Sequence, residues 1–149
     1  ARGLKYFSLA SRTETAIDPK MFDPSVLEPL RLFNNLNTDE AWWEGPGFGY
    51  VMGLSAETFS IPRDIVGQVQ GKSTYARCGL IVNVTPAEPG WKGRLVVEIS
   101  NTQSRPVRVY AGEGIAQMCF HRLSSPVAVS YADRDGKYQN QESLTYARV

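Results

Sequence analysis

Histidine occurs once and cysteine twice among the 149 residues, and this scarcity removes several kinds of chemistry. Cys78 and Cys119 cannot build a disulfide framework. Each lies in a short apolar run, Ala76-Arg77-Cys78-Gly79-Leu80 and Gln117-Met118-Cys119-Phe120, which predicts two buried free thiols in a cytoplasmic protein. A zinc centre of the H-x-E, P-C-x-x-C kind needs three soft or imidazole ligands and an open water position. His121 and two distant cysteines do not supply it, so no protein-held metal is expected. His121 sits late in a strand candidate and reads as a structural or surface residue, and no Ser-His-Asp triad can be drawn around it.

A surplus of charge is missing too. Sixteen Lys and Arg against fifteen Asp and Glu give a net charge of +1. That balance argues against a nucleic-acid-binding coat, which needs clustered basic residues, but leaves room for a small anionic ligand. No apolar run approaches the roughly 18 residues that span a membrane, and no signal peptide opens the chain. The abrupt start at Ala1-Arg2-Gly3-Leu4 carries the expectation that residues precede it. Neither a Walker A loop nor a G-x-G-x-x-G fingerprint is present. Aspartate is absent between Asp64 and Asp133.

What remains is a β-rich chain. Apolar residues make up 42%, enough for the core of one domain over 1–149. Residues 1–50 are the least regular. Ile17-Asp18-Pro19, Phe22-Asp23-Pro24, Asn34-Asn35-Leu36-Asn37 and Gly45-Pro46-Gly47 are turn signals, with short strands expected between them. Beyond them the pattern predicts strands at Tyr50 to Leu54, Ile65 to Gln70, Leu80 to Val84, Leu95 to Asn101, Val107 to Tyr110, Ile115 to Arg122 and Val127 to Tyr131. Many short strands between Gly, Pro and Asn turns point to an all-β sandwich or jelly roll. One helix is expected at Lys72 to Cys78, capped by Ser73 or Thr74. The polar tail after Gly136 reads as a flexible arm over 136–149.

Two features could carry chemistry. Gly71-Lys72-Ser73-Thr74 joins a close-approach glycine to side-chain donors and a helix start, a combination that suits phosphate. A capped surface helix explains it as well. Glu98 interrupts the apolar run Leu95-Val96-Val97-Glu98-Ile99 and shares a strand face with Val96 and Ser100. It is either an ordinary exposed position or a half-buried carboxylate suited to proton transfer.

At these residues the chain resembles the bacterial dCTP deaminase family. The likeness rests on five blocks in order: Gly71 to Leu80; Val82-Asn83-Val84-Thr85-Pro86-Ala87-Glu88-Pro89-Gly90-Trp91-Lys92-Gly93; Val97-Glu98-Ile99-Ser100-Asn101; Tyr110 to Gln117; and Gly136-Lys137-Tyr138-Gln139-Asn140-Gln141. It implies a distorted jelly-roll β-barrel of the dUTPase-like kind, assembled as a homotrimer with active sites between subunits. The implied reaction is hydrolytic conversion of dCTP to dUTP and ammonia without a catalytic metal. Magnesium accompanies the triphosphate, and dTTP is a feedback inhibitor in many members. Carried over position by position, Glu98 matches the proton-transferring glutamate, Ser73 the active-site serine and Arg77 the active-site arginine. Lys72, Ser73 and Thr74 fall at the phosphate site, and Asn83 and Val84 beside the base. Glu88 and Trp91 fall around sugar and base, Gln117 in the fourth block, and Tyr131, Lys137, Tyr138 and Gln141 with the closing arm. Two departures stand out: the Thr85 to Gly90 loop is shorter than in many members, and the family's N-terminal helices are missing from this chain.

Three rivals follow. A dUTPase needs an aspartate to activate water at the phosphate, and the stretch without aspartate disfavours it. A bifunctional deaminase and diphosphatase is weakened for the same reason. A catalytically inactive nucleotide-sensing trimer is disfavoured by the joint presence of Glu98, Ser73 and Arg77.

Overall fold

The computed structural model describes residues 17–37 and 41–148, and the backbone alone of residues 2–7. The strands expected within residues 1–50 therefore fall partly outside the described residues. In chain order the elements are β1 (Arg2–Phe7), a 3-10 turn (Pro24–Val26), β2 (Leu27–Pro29), β3 (Leu32–Asn34), β4 (Ala41–Gly45), β5 (Tyr50–Leu54), β6 (Phe59–Ser60), β7 (Ile65–Gly71), α1 (Ser73–Arg77), β8 (Leu80–Asn83), β9 (Lys92–Gly93), β10 (Val96–Asn101), β11 (Val107–Tyr110) and β12 (Ala116–Arg122). The all-β expectation with one short helix holds.

Period-two patterning decides where these strands pack. Along β10, Val97, Ile99 and Asn101 are buried while Val96, Glu98 and Ser100 are half-buried, so one face enters the core and the other lines open space. A five-stranded antiparallel sheet runs β2-β1-β5-β10-β8, and a three-stranded one β11-β4-β3. Val51, Leu80, Val97 and Ile99 from the first meet Trp43 and Val109 from the second in one buried cluster. Each such side chain contributes about 1.5–3 kcal/mol by leaving water. The pairs β12-β7 and β6-β9 complete the sheets.

Asn101 closes the core end of β10. It is buried, and its amide donates to the carbonyls of Pro46 at 3.1 Å and Arg105 at 2.8 Å while its oxygen accepts from Gln103 N–H at 2.9 Å. One side chain thus satisfies three backbone groups in two turns, which removes the cost of leaving them unpaired.

Several expectations are corrected. Val127 to Tyr131 is not a strand: Arg63 donates to the carbonyls of Val127 and Ala128, Asp133 accepts from Ser130 N–H, and Val127 and Tyr131 N–H donate to the separate carbonyls of Arg63 and Pro89, so no ladder forms. Neither cysteine is buried, Cys78 being exposed and Cys119 intermediate. Cys78 is the residue that ends α1 and stays exposed, while Leu80 of the same run enters the core. The cap of α1 is Lys72, which makes no side-chain capping bond; Ser73 and Thr74 lie inside the helix. The two-residue strands β6 and β9 were not foreseen, being too short to show a period.

Candidate functional site

Register places the cavity-lining face of β10. Glu98 lies opposite Met52 of β5 and Asn83 of β8, and Ser100 lies opposite Tyr50. Directly opposed residues share a face, so Tyr50, Met52, Val96 and Glu98 form one wall. That wall lines a cavity of about 1010 Å³. The loop after β8 adds Val84, Glu88 and Trp91; the C-terminal segment adds Tyr131, Tyr138 and Gln141; Phe48 stands at the rim.

Electrostatics distinguishes Glu98 from an ordinary surface carboxylate. Burial raises its carboxyl above the ordinary value of 4.5, because a low-dielectric wall disfavours the charged form. Asn83 donates to Glu98 Oε2 through a long contact of 3.4 Å. The Tyr50 hydroxyl is pushed up to about 12, first by burial and then by the charge of Glu98.

The loop from Thr85 to Trp91 is held by backbone pairing. Gly67 and Ala87 exchange N–H···O bonds of 2.9 and 2.8 Å, and Ile61 N–H donates to Trp91 O at 2.9 Å. Glu88 forms an ion pair with Arg134, whose guanidinium also lies 5.5 Å from the Tyr131 ring centre.

The tail read as a flexible arm lies docked on this loop and β9. Trp91 Nε1 donates to Tyr138 O at 2.9 Å, Asn140 N–H to Lys92 O at 2.8 Å, and Arg94 N–H to Gln141 O at 2.7 Å. The Gln141 amide returns a bond to Arg94 O at 2.7 Å. Its polar residues thus find backbone partners. Gly93 permits the approach: at φ +143°, a Cβ there would stand 2.7 Å from Gln141 N and 2.9 Å from its O.

Of the residues singled out in the sequence, Glu98, Val84, Glu88, Trp91, Tyr131, Tyr138 and Gln141 meet at this cavity. Asn83 touches it through Glu98. The others lie elsewhere on the chain. Ser73, Thr74 and Arg77 are exposed on α1, and Lys72 is half-buried beside it. Gln117 is exposed on β12 opposite Gln70, and Lys137 is exposed with its ammonium donating to Arg148 O at 3.3 Å. The reason is geometric: α1 precedes the Leu80 end of β8, which pairs with Asn101, three residues and roughly 10 Å along the strand from Glu98. Among the described residues the cavity wall holds two carboxylates, Glu88 and Glu98, and no lysine or arginine.

Tyr50 and Phe48 are among the wall residues that escaped the sequence reading. Tyr50 starts an apolar strand, and nothing short of the strand pairing shows that it neighbours Glu98. Phe48 has a visible signal, the run Pro46-Gly47-Phe48-Gly49; it adopts φ 50° and is 71% exposed, uncommon for an aromatic residue.

Comparison with known proteins gives the family. A family model described as dCTP deaminase-like matches residues 46–123, a stretch that includes β5, α1, β10 and Glu98. The chain belongs to the dCTP deaminase-like family. Relatives in this family include proteins named dCTP deaminase from Methylacidiphilum infernorum, 46% identical over 91% of this chain and 67% of that protein, and from Roseiflexus castenholzii, 47% identical over 91% and 69%. A dCTP deaminase from Chlamydia pneumoniae is 45% identical over 88% of this chain and 65% of that protein. Among solved structures, the native EIAV dUTPase aligns with a TM-score of 0.41 and 21% identity, covering 64% of this chain and 86% of that one. Within the dCTP deaminase-like match lie all three residues singled out for catalysis, Ser73, Arg77 and Glu98.

Proposed function

We propose that this protein hydrolyses the exocyclic amine of dCTP, giving dUTP and ammonia, with Glu98 moving the protons. The observation that carries this reading is a half-buried carboxylate on a cavity wall, in a chain 45–47% identical to proteins named dCTP deaminase. Attack of water at carbon 4 requires a base for the water proton. The adduct then requires an acid for N3 and for the departing amine. One carboxylate within reach of each serves both steps, contributing on the order of two to four powers of ten in rate. Burial moves Glu98 toward the pH at which both forms are accessible. Val84 and Ser73 are assigned to orienting the water, and Arg77, which keeps its proton, to holding a fixed charge near the reacting groups.

Among the described residues the wall around Glu98 lacks cations, whereas a triphosphate demands them. We therefore assign Lys72, Ser73, Thr74 and Arg77 of a neighbouring subunit to the same site, within a trimer of jelly-roll barrels. Magnesium enters with the triphosphate as its counter-ion, and dTTP is assigned to the same pocket as an inhibitor. Tyr138 and Gln141 hold the closing arm, with Lys137 and Gln117 assigned to the nucleotide from the periphery. Trp91 and Tyr131 bound the sugar and base.

Incubation with dCTP and magnesium, followed by chromatography beside ammonia and pyrophosphate assays, tests the reading. The expected products are dUTP and ammonia without pyrophosphate, because Glu88, the other carboxylate of the wall, is engaged by Arg134. Glu98→Gln is expected to lower turnover by at least a hundredfold with nucleotide binding retained. Stoichiometric dUMP and pyrophosphate from dCTP would instead show a bifunctional enzyme and make Glu88 the second carboxylate. Turnover of Glu98→Gln above a tenth of the parent would remove Glu98 as the base.

A further inference from the structure

We infer that Tyr50 is a positioning residue for Glu98, its phenol supplying the proton donor that orients the carboxylate toward the base of the nucleotide. This rests on the role proposed above for Glu98. The placement follows from register. Tyr50 opposes Ser100, and Glu98 opposes Met52, so Tyr50 and Glu98 are diagonal neighbours on one face of adjacent strands. That spacing is roughly 7–8 Å between backbones, within the reach of an aromatic side chain. Both side chains line the same cavity. The two strands on either side of β10 bring different partners to Glu98. From β8 comes the Asn83 amide, at a long 3.4 Å. From β5 come Met52, which offers no donor, and Tyr50.

The chemistry suits the placement. A carboxylate that takes a proton from water and returns it to a ring nitrogen must keep one oxygen aimed at the substrate. It does so best when the other oxygen accepts from a group that does not itself ionise. The Tyr50 hydroxyl, pushed up to about 12 by burial and by Glu98, stays protonated throughout the working range, so it donates without competing for the transferred proton. Among the described residues, the other titratable groups on the cavity wall are Glu88, paired with Arg134, and the phenols Tyr131, Tyr138 and Tyr146. These come from the loop and the C-terminal segment rather than from the two strands that flank Glu98.

Tyr50→Phe keeps the ring and deletes the donor. Its kcat for dCTP is expected to fall about tenfold, with KM within about twofold of the parent, the loss of one charge-assisted hydrogen bond. The acid limb of its pH–rate profile is expected to rise by about one unit, because a carboxylate without its donor holds its proton more firmly. A purely structural role would lower the melting temperature and leave the limb in place. Glu98→Gln, assayed beside it, separates the two readings. If Glu98→Gln is inactive while Tyr50→Phe keeps the parental kcat and pH profile, the inference about Tyr50 fails alone. If Glu98→Gln turns over normally, the role of Glu98 fails and takes this inference with it.

Discussion

Glu98 carries a cost at the scale of a single residue. Its carboxyl titrates above 4.5 in the folded chain because burial disfavours the anion, whereas in the unfolded chain it titrates at the ordinary value. An acid whose folded value is raised leaves stability intact below the unfolded value and removes it as the pH rises through the folded one. Glu98→Gln, which cannot ionise, is therefore expected to melt higher than the parent at about pH 7 to 8, and level with it below about pH 4. Thermal melts of both proteins across that range check this. A Gln variant less stable than its parent at neutral pH would mean that the charge is stabilised, not strained, where it sits. The alternation of Val96, Glu98 and Ser100 against Val97, Ile99 and Asn101 was legible in the sequence, since it needs only a period of two. Whether the polar face met water or a cavity was not, because that depends on what the loop after β8 and the C-terminal segment cover.

Among the elements, the C-terminal segment shows what composition leaves out. Its polar residues read as a flexible arm, and in the structure Tyr138, Asn140 and Gln141 bond to Trp91, Lys92 and Arg94. Composition reports how readily water solvates a segment and is silent about backbone groups waiting elsewhere in the fold. The strand expected at Val127 to Tyr131 is absent: in this apolar, β-branched run the carbonyls of Val127 and Ala128 are taken by Arg63, a residue more than sixty positions away. The contact of the arm with β9 can be probed at Gly93. Gly93→Ala places a methyl against Gln141 backbone, at a cost of about 1 kcal/mol or more. Its KM for dCTP is expected to rise roughly five- to tenfold, with a smaller change in kcat. A lower melting temperature with unchanged KM would make the contact structural only.

For the whole molecule, the proposed reaction demands cations for a triphosphate. The Glu98 cavity has none on its described wall, and Lys72 and Arg77 lie toward the far end of β8. Sites completed by a second subunit, as proposed above, would reconcile the two. Light scattering is expected to report three copies of the 16.5 kDa chain at micromolar concentration. Mixing inactive Glu98→Gln with inactive Arg77→Ala chains, then allowing exchange, is expected to restore part of the activity, since some sites then combine an intact Glu98 with an intact Arg77. A mixture as inactive as its parents would place both residues in one subunit. The sequence blocks could name these residues but not join them, for spacing along a chain says nothing of contacts between chains.

Strand β10 bears Glu98 on one face and Asn101 on the other, and Asn101 also fixes the turn from Pro46 that presents Phe48. A slip of one residue in its register would turn Val97 and Ile99 outward, bury the carboxylate among apolar side chains and unfasten two turns at once. Folding therefore checks the placement of this side chain: a chain able to settle into its core has, by the same pairing, already turned Glu98 toward the cavity.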